Sequence, residues 1–194
     1  MFNYTDKTIL IVDDQKPFHM MLKTMLTNQG AKNIHFAETA DQAVRIANRV
    51  QYDIYLLDYN LGSGKNGVQL LDYLKKNKLI PNHALCFIIT GDGTKGMVLT
   101  AIEKSPDDYL MKPFSQVQLS KRLKVATQRK LIFQDIFQSL SEKKYELAIQ
   151  QCKEKIDKET KHRGLCKNLL ADIYIQIEEF SAAETILKPL IDLR

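Results

Sequence analysis

Cysteine is scarce in this 194-residue chain: Cys86, Cys152 and Cys166 are the only three, and they are scattered. So few thiols build no disulfide framework, and a reduced, cytoplasmic setting is the simplest expectation. Long apolar runs are missing as well. No stretch approaches a membrane span and the N-terminus lacks a signal peptide, so no membrane partner is expected. Clustered metal-binding His and Cys are also lacking. His162 and Cys166 lie one helical turn apart with Cys152 upstream, a set better read as core thiols and a surface histidine. Glycine and proline vanish between Pro113 and Gly164, so no flexible linker is expected there. The chain reads as helix from Ser115 to about Leu140.

Charge is lopsided. Residues 1–119 carry 13 Lys+Arg against 12 Asp+Glu, whereas residues 120–194 carry 15 against 11 and supply most of the net +5. Lys121, Arg122, Lys124, Arg129 and Lys130 cluster in the C-terminal part. No helix-turn-helix pattern or aromatic–basic stacking motif accompanies them. A solvated helix face is the better reading, and a nucleic-acid partner is not expected.

What is present is a set of apolar strand-forming runs that end on reactive side chains. Thr8-Ile9-Leu10-Ile11-Val12 ends in Asp13-Asp14. Asp53-Ile54-Tyr55-Leu56-Leu57 ends in Asp58. Leu85-Cys86-Phe87-Ile88-Ile89 ends in Thr90, and Asp107-Asp108-Tyr109-Leu110-Met111 ends in Lys112-Pro113. A short run, Ile34-His35-Phe36-Ala37, supplies a fifth strand. Helical spacing fills the gaps: Lys16 to Asn28, Thr39 to Val50 with Thr39 as cap, Gly67 to Asn77, Thr94 to Lys104, and the helix capped by Ser115. Alternating strand and helix predict a doubly wound, five-stranded parallel sheet. Parallel strands would gather the three acids, the hydroxyl and the lysine along one edge, where open α/β sheets bind ligands.

Close carboxylates repel unless a cation lies between them. Oxygen-only donors favour a hard ion, and Mg2+ completes its shell with waters and phosphate. A hydroxyl and an ammonium suit phosphoryl oxygens. The edge therefore reads as a site for phosphoryl transfer to a carboxylate. Asp58, the lone acid at the tip of the most apolar strand, is the expected acceptor.

The pieces IVDD at 11–14, YDIYLLD at 52–58, IITG at 88–91 and YLMKPF at 109–114 resemble, in order and spacing, the receiver domain of two-component response regulators. The resemblance covers about residues 6–125 and implies a flavodoxin-like fold. It makes Asp58 the phosphoacceptor and Asp13 and Asp14 the acid pair for Mg2+, with Asp14 as the direct ligand. Asp58 itself and the Asn60 backbone carbonyl become further metal ligands, Thr90 the switch hydroxyl, Lys112 the conserved lysine and Tyr109 the switch aromatic. It also implies a histidine kinase or phosphotransfer protein as donor. The chain departs from the family after the acceptor. Leu61-Gly62 replace the usual Met-Pro, and Gly67 arrives one residue late, after a Gly-rich loop that lacks the GK[ST] of a phosphate-cradling motif.

Residues 126–194 differ in kind. Tyr145 and Ala148 recur as Phe180 and Ala183, an offset of 35 residues. That period, with Leu170, Ala171 and Tyr174, resembles the tetratricopeptide repeat. The expected organisation is a receiver over 1–125 and an all-α helical-repeat domain over 126–194, the start of a longer array. Such repeats would bind a protein partner, and pairing with a second copy of the chain is a further candidate. The implied activity is a phosphorylation-gated adaptor rather than an enzyme. An aspartyl-nucleophile phosphatase is the first competitor, but it needs a second acid where Asn60 stands. A DNA-binding transcriptional regulator is the second.

Overall fold

The computed structural model describes residues 3–62, 64–81, 83–91, 106–158 and 162–191. The chain divides into two compact units, Met1–Lys130 and Leu131–Arg194.

In the first unit the apolar runs form β1 (Thr8–Val12), β2 (Asn33–Ala37), β3 (Ile54–Asp58), β4 (Leu85–Thr90) and β5 (Asp108–Met111). All pairs are parallel, in the order β2-β1-β3-β4-β5. Every residue of β3 and β4 is buried, as expected for the centre of a sheet covered on both faces. The helices are α1 (Lys16–Thr27), α2 (Ala40–Ala47), α3 (Gly67–Lys76) and α4 (Gln116–Ile132). The helix expected over Thr94–Lys104 lies outside the described residues.

Period-two alternation sorts the strand side chains into two cores. Ile9, Ile11, Leu56, Phe87, Ile89 and Leu110 face one side, with Leu22 and Leu26 of α1 and Leu119 and Leu123 of α4. Leu10, Val12, Tyr55, Leu57 and Ile88 face the other, with Ala43 and Ala47 of α2 and Leu70 and Leu74 of α3. Helix starts follow their local chemistry. Pro17 stands in the first turn of α1, where its missing N–H costs nothing. The Thr39 hydroxyl accepts from the Gln42 N–H at 3.2 Å. Asn66 and Gln69 form a reciprocal capping box at α3.

The expected helix from Ser115 to Leu140 is not continuous. It ends at Ile132 and resumes as α5 (Gln134–Ser141), with Phe133 at φ −106°, ψ 15° between them. Phe133 is only 2% exposed and belongs to the core of the second unit, beside Ile136, Cys152, Cys166 and Leu170. Burying so large a ring outweighs the modest gain of one more helical turn.

The second unit continues with α6 (Tyr145–Lys158), α7 (Arg163–Gln176) and α8 (Phe180–Ile191). Its turns recur at the 35-residue offset seen in the sequence. The Glu142, Lys143 and Lys144 N–H groups donate to the carbonyls of Gln138, Leu140 and Ser139; those of Ile177, Glu178 and Glu179 donate to Ile173, Ile175 and Tyr174. Lys143 and Glu178 take the same left-handed conformation, at φ 58° and 65°. Ala148 and Ala183, at equivalent places, are both buried.

Candidate functional site

Register brings the expected residues to one edge. Val12 pairs with Leu57, Asp58 with Ile89 and Thr90 with Met111, so Asp13, Asp58, Thr90 and Lys112 all leave the sheet at its carboxyl end. Alternation then decides which side each serves. Asp13, Asp58 and Lys112 each lie two residues beyond a member of the first core, Ile11, Leu56 and Leu110. Thr90 lies two beyond Ile88 of the second core, and Tyr109 packs half-buried against that same core. The acids and the lysine thus share one face of the sheet, and the hydroxyl and the aromatic share the other.

The Lys112 ammonium joins the two acids. Its Nζ lies 2.8 Å from Asp13 Oδ2 and 2.7 Å from Asp58 Oδ1. Asp13 is 1% exposed and Asp58 5%. Each carboxylate divides its oxygens in the same way. Asp13 Oδ1 accepts from the Gln15 N–H at 2.8 Å, and Asp58 Oδ2 accepts from the Asn60 N–H at 2.9 Å. These are local turns of the kind Asp commonly makes, and they aim the second oxygen at the lysine. Both acids are therefore turn residues and site residues at once.

Burial pushes the Asp58 carboxyl above its ordinary range, the Asp13 charge adds to this, and Lys112 and the Asn60 N–H pull against it. Burial alone would lower Lys112. Its hydrogen bonds to Asp13 and Asp58, and their charges, more than offset that, so the amine is held as a cation. Thr90 is 4% exposed at the tip of β4, and its carbonyl accepts from the Lys112 N–H at 2.7 Å.

Asp14 is exposed, and among the described residues no three His, Cys, Asp or Glu side chains are gathered as they would be around a metal. The donor chemistry still fits Mg2+. Every candidate is an oxygen, and a carboxylate facing solvent can turn toward an ion that keeps its waters. The His162, Cys166 and Cys152 set forms no metal site among the described residues. Both thiols are fully buried, and burial raises Cys152 to about 12.

The departures after the acceptor acquire physical reasons. Gly62 stands at φ +69°, and a Cβ there would come within 3.4 Å of Asp14 Oδ2. Gly67 opens α3 directly on the acceptor's backbone: a Cβ would lie 2.1 Å from the Asp58 carbonyl oxygen. The longer loop takes up one residue, and the glycine still arrives where backbone meets backbone. A glycine at the first position of a helix, where a side chain is ordinarily harmless, was the available signal. Phe18 of α1 packs against the first core and has a second contact that helical spacing does not signal. Its ring centroid lies 3.8 Å from Lys112 Nζ.

The basic cluster is partly spent inside the first unit. Arg122 pairs with Asp108 at 2.7 Å, Arg129 bonds the Asp107 carbonyl, and Lys130 bonds the Ala84 carbonyl and the Asp107 carboxylate. No helix among the described residues is long and apolar enough to cross a membrane.

Comparison with known proteins agrees with this geometry. Residues 9–124 match the model of the response regulator receiver domain. The phosphate regulon transcriptional regulatory protein PhoB of Pseudomonas aeruginosa is 34% identical over 123 residues, covering 63% of this chain and 52% of that protein. The transcriptional regulatory protein YvrH of Bacillus subtilis is 29% identical over 122 residues, covering 63% and 49%. The chain thus spans about half the length of the curated relatives it matches. Among solved structures, a CheY-like receiver domain protein from Methanospirillum hungatei superposes with TM-score 0.56 at 24% identity, over 64% of this chain and 95% of that one. Chemotaxis response regulator CheY4 of Vibrio cholerae gives 0.52 at 18%, over 62% and 98%. These two likenesses bear on the fold alone. The family match spans more than half of the chain, and the chain belongs to the response regulator receiver domain family, its first unit being the phosphoryl-accepting receiver of a two-component system.

Proposed function

We propose that Asp58 is the phosphoacceptor and that its modification gates protein–protein interaction by the C-terminal helices. The observation that carries this is the Lys112 ammonium held between Asp13 and Asp58 at 2.8 and 2.7 Å. A carboxylate oxygen of Asp58 attacks the phosphorus of the donor, and the bond from phosphorus to the leaving group breaks. Lys112 moves one N–H from Asp58 to the incoming phosphoryl oxygens. Thr90 offers them its hydroxyl, and Tyr109, on the same sheet face, follows Thr90. Asp13, Asp14 and the Asn60 carbonyl would hold Mg2+, which when bound supplies charge neutralisation between carboxylates and phosphoryl group.

Receiver domains interact with histidine kinases or phosphotransfer proteins, and one of these is the proposed donor. The repeating turns at Lys143 and Glu178 and the buried Ala148 and Ala183 support a tetratricopeptide-like reading of the helices beyond residue 130. Modules of that kind bind protein segments, which favours an adaptor over a DNA-binding or turnover-enzyme role. Asn60 stands where an aspartyl-nucleophile phosphatase would need a second acid.

Incubation with acetyl phosphate and Mg2+ should add one phosphoryl group by intact mass, and Asp58→Asn should abolish it. Undiminished labelling of that variant refutes the acceptor. Partner capture by the full chain, with and without beryllofluoride, tests the gating.

A further inference from the structure

We infer that Phe18 is a positioning residue for phosphoryl transfer: its ring face completes the coordination of the Lys112 ammonium and serves as the pivot on which that ammonium turns from carboxylate to phosphoryl oxygen. The inference rests on the reading of Asp58 as acceptor and Lys112 as the cation that meets the phosphoryl group.

An ammonium has three N–H donors. Two are directed at Asp13 Oδ2 and Asp58 Oδ1. The ring of Phe18 stands 3.8 Å from the same nitrogen, well inside the range of a cation–π contact. The lysine side chain keeps only 20% of its surface exposed, so the ring attracts a cation that is largely removed from water. Phe18 is itself held edge-to-face against Phe114, with centroids 5.9 Å apart and planes at 84°. Phe114 is 8% exposed and belongs to the core between the sheet, α1 and α4. The ring is therefore braced by a core aromatic while Lys112 Nζ stands over it.

The nature of the contact matters for the reaction. When the carboxylate oxygen forms its bond to phosphorus and acetate departs with the electron pair of the broken P–O bond, new anionic oxygens appear above Asp58. Lys112 must then redirect an N–H. A hydrogen-bonding partner at the position of Phe18 would resist that rotation, because its own bond would break. A ring face attracts the charge without fixing any one N–H, so the ammonium turns while staying in place. An aliphatic side chain would fill the volume but supply no attraction.

The test separates shape from electrostatics. Position 18 is replaced in the full-length protein by 4-fluoro-, 3,5-difluoro- and 3,4,5-trifluorophenylalanine, which weaken the negative ring face at nearly constant shape, and by leucine. The single-turnover rate with acetyl phosphate and Mg2+ is read by intact mass, alongside thermal melts. The expected result is a graded fall across the fluorine series with unchanged melting. The leucine variant should lose between about twofold and about thirtyfold, the span of a cation–π contact from exposed to desolvated. A flat series overturns the inference, including the case in which only leucine is impaired, since packing alone would then explain Phe18. Asp58→Asn runs in parallel. Labelling of that variant would refute the acceptor assignment instead, so the two failures are distinguishable.

Discussion

At the scale of single residues, the site is a balance between two buried acids and one half-buried cation. Lys112→Met leaves Asp13 and Asp58 facing each other without their shared partner. Its cost at neutral pH is expected to be about 3–5 kcal/mol, the penalty for stranding buried charge. That cost should shrink at lower pH, as the Asp58 carboxyl, already raised by burial, takes up its proton. Urea titrations at the two pH values check it. Asp58→Asn should act in the opposite sense. Burial raises the folded-state carboxyl above its unfolded value, so its favourable contribution exists only at low pH and is lost as pH rises through the folded value. At pH 7 the wild-type carboxylate is therefore a net cost, and removing it should raise the melting midpoint. The gap should close as pH is lowered through the carboxylate range. Gly67→Ala meets the Asp58 carbonyl oxygen at 2.1 Å, where no flexible side-chain end can yield. A loss of about 3 kcal/mol or more, with impaired phosphoryl acceptance, is expected from such overpacking.

At the scale of elements, caps and turns carry the testable content. Asn66 closes the capping box of α3 beside the acceptor loop, and Asn66→Ala should cost about 1 kcal/mol in a denaturant titration. Lys143 and Glu178 occupy left-handed positions just past α5 and α7, at φ 58° and 65°, where a side chain is strained. Replacing either with glycine should stabilise the protein by roughly 0.5–1 kcal/mol. The two gains should be alike because the turns share the same hydrogen bonds 35 residues apart. Unequal effects of opposite sign would argue against equivalent turns. Element boundaries were largely legible in the sequence. The Thr39 cap, the start of α3 at Gly67 and the span of β1 follow from local side-chain chemistry. The break at Phe133 was not, because no glycine or proline marks it. It arises from what Phe133 packs against: Ala148, Cys152, Cys166, Leu170 and Ile173 of that core lie 15 to 40 positions away.

At the scale of the whole molecule, the thiols and the charge set the expectations. Cys86, Cys152 and Cys166 are buried thiols outside any disulfide, and burial raises Cys86 and Cys152 to about 12. A thiol reagent should label none of them quickly in the native state and all of them after denaturation. Fast native labelling of any one would contradict the packing of its core. The net charge of +5 invites a search for nucleic-acid binding. Arg122, Arg129 and Lys130, however, are already bonded to Asp107, Asp108 and the Ala84 carbonyl. A mobility-shift assay with random DNA at moderate salt should therefore show no stable complex.

By itself the sequence determined the alternation of strand and helix, the five strands and the identity of the residues at their carboxyl ends. Those are local properties: apolar period, capping side chains, and the residue at which each apolar run stops. It also carried the 35-residue recurrence of Tyr145 and Ala148 as Phe180 and Ala183. Only the tertiary structure decided how these residues meet. Strand register places Asp13, Asp58 and Lys112 on one face and Thr90 on the other, and Lys112 reaches Asp13 across 99 positions of chain. Gly67 shows its necessity only when α3 is laid on the Asp58 backbone, and Phe18 becomes more than a core residue only when Lys112 arrives under its ring. Such pairings depend on distances between segments far apart in the chain, which no local pattern of residue types encodes.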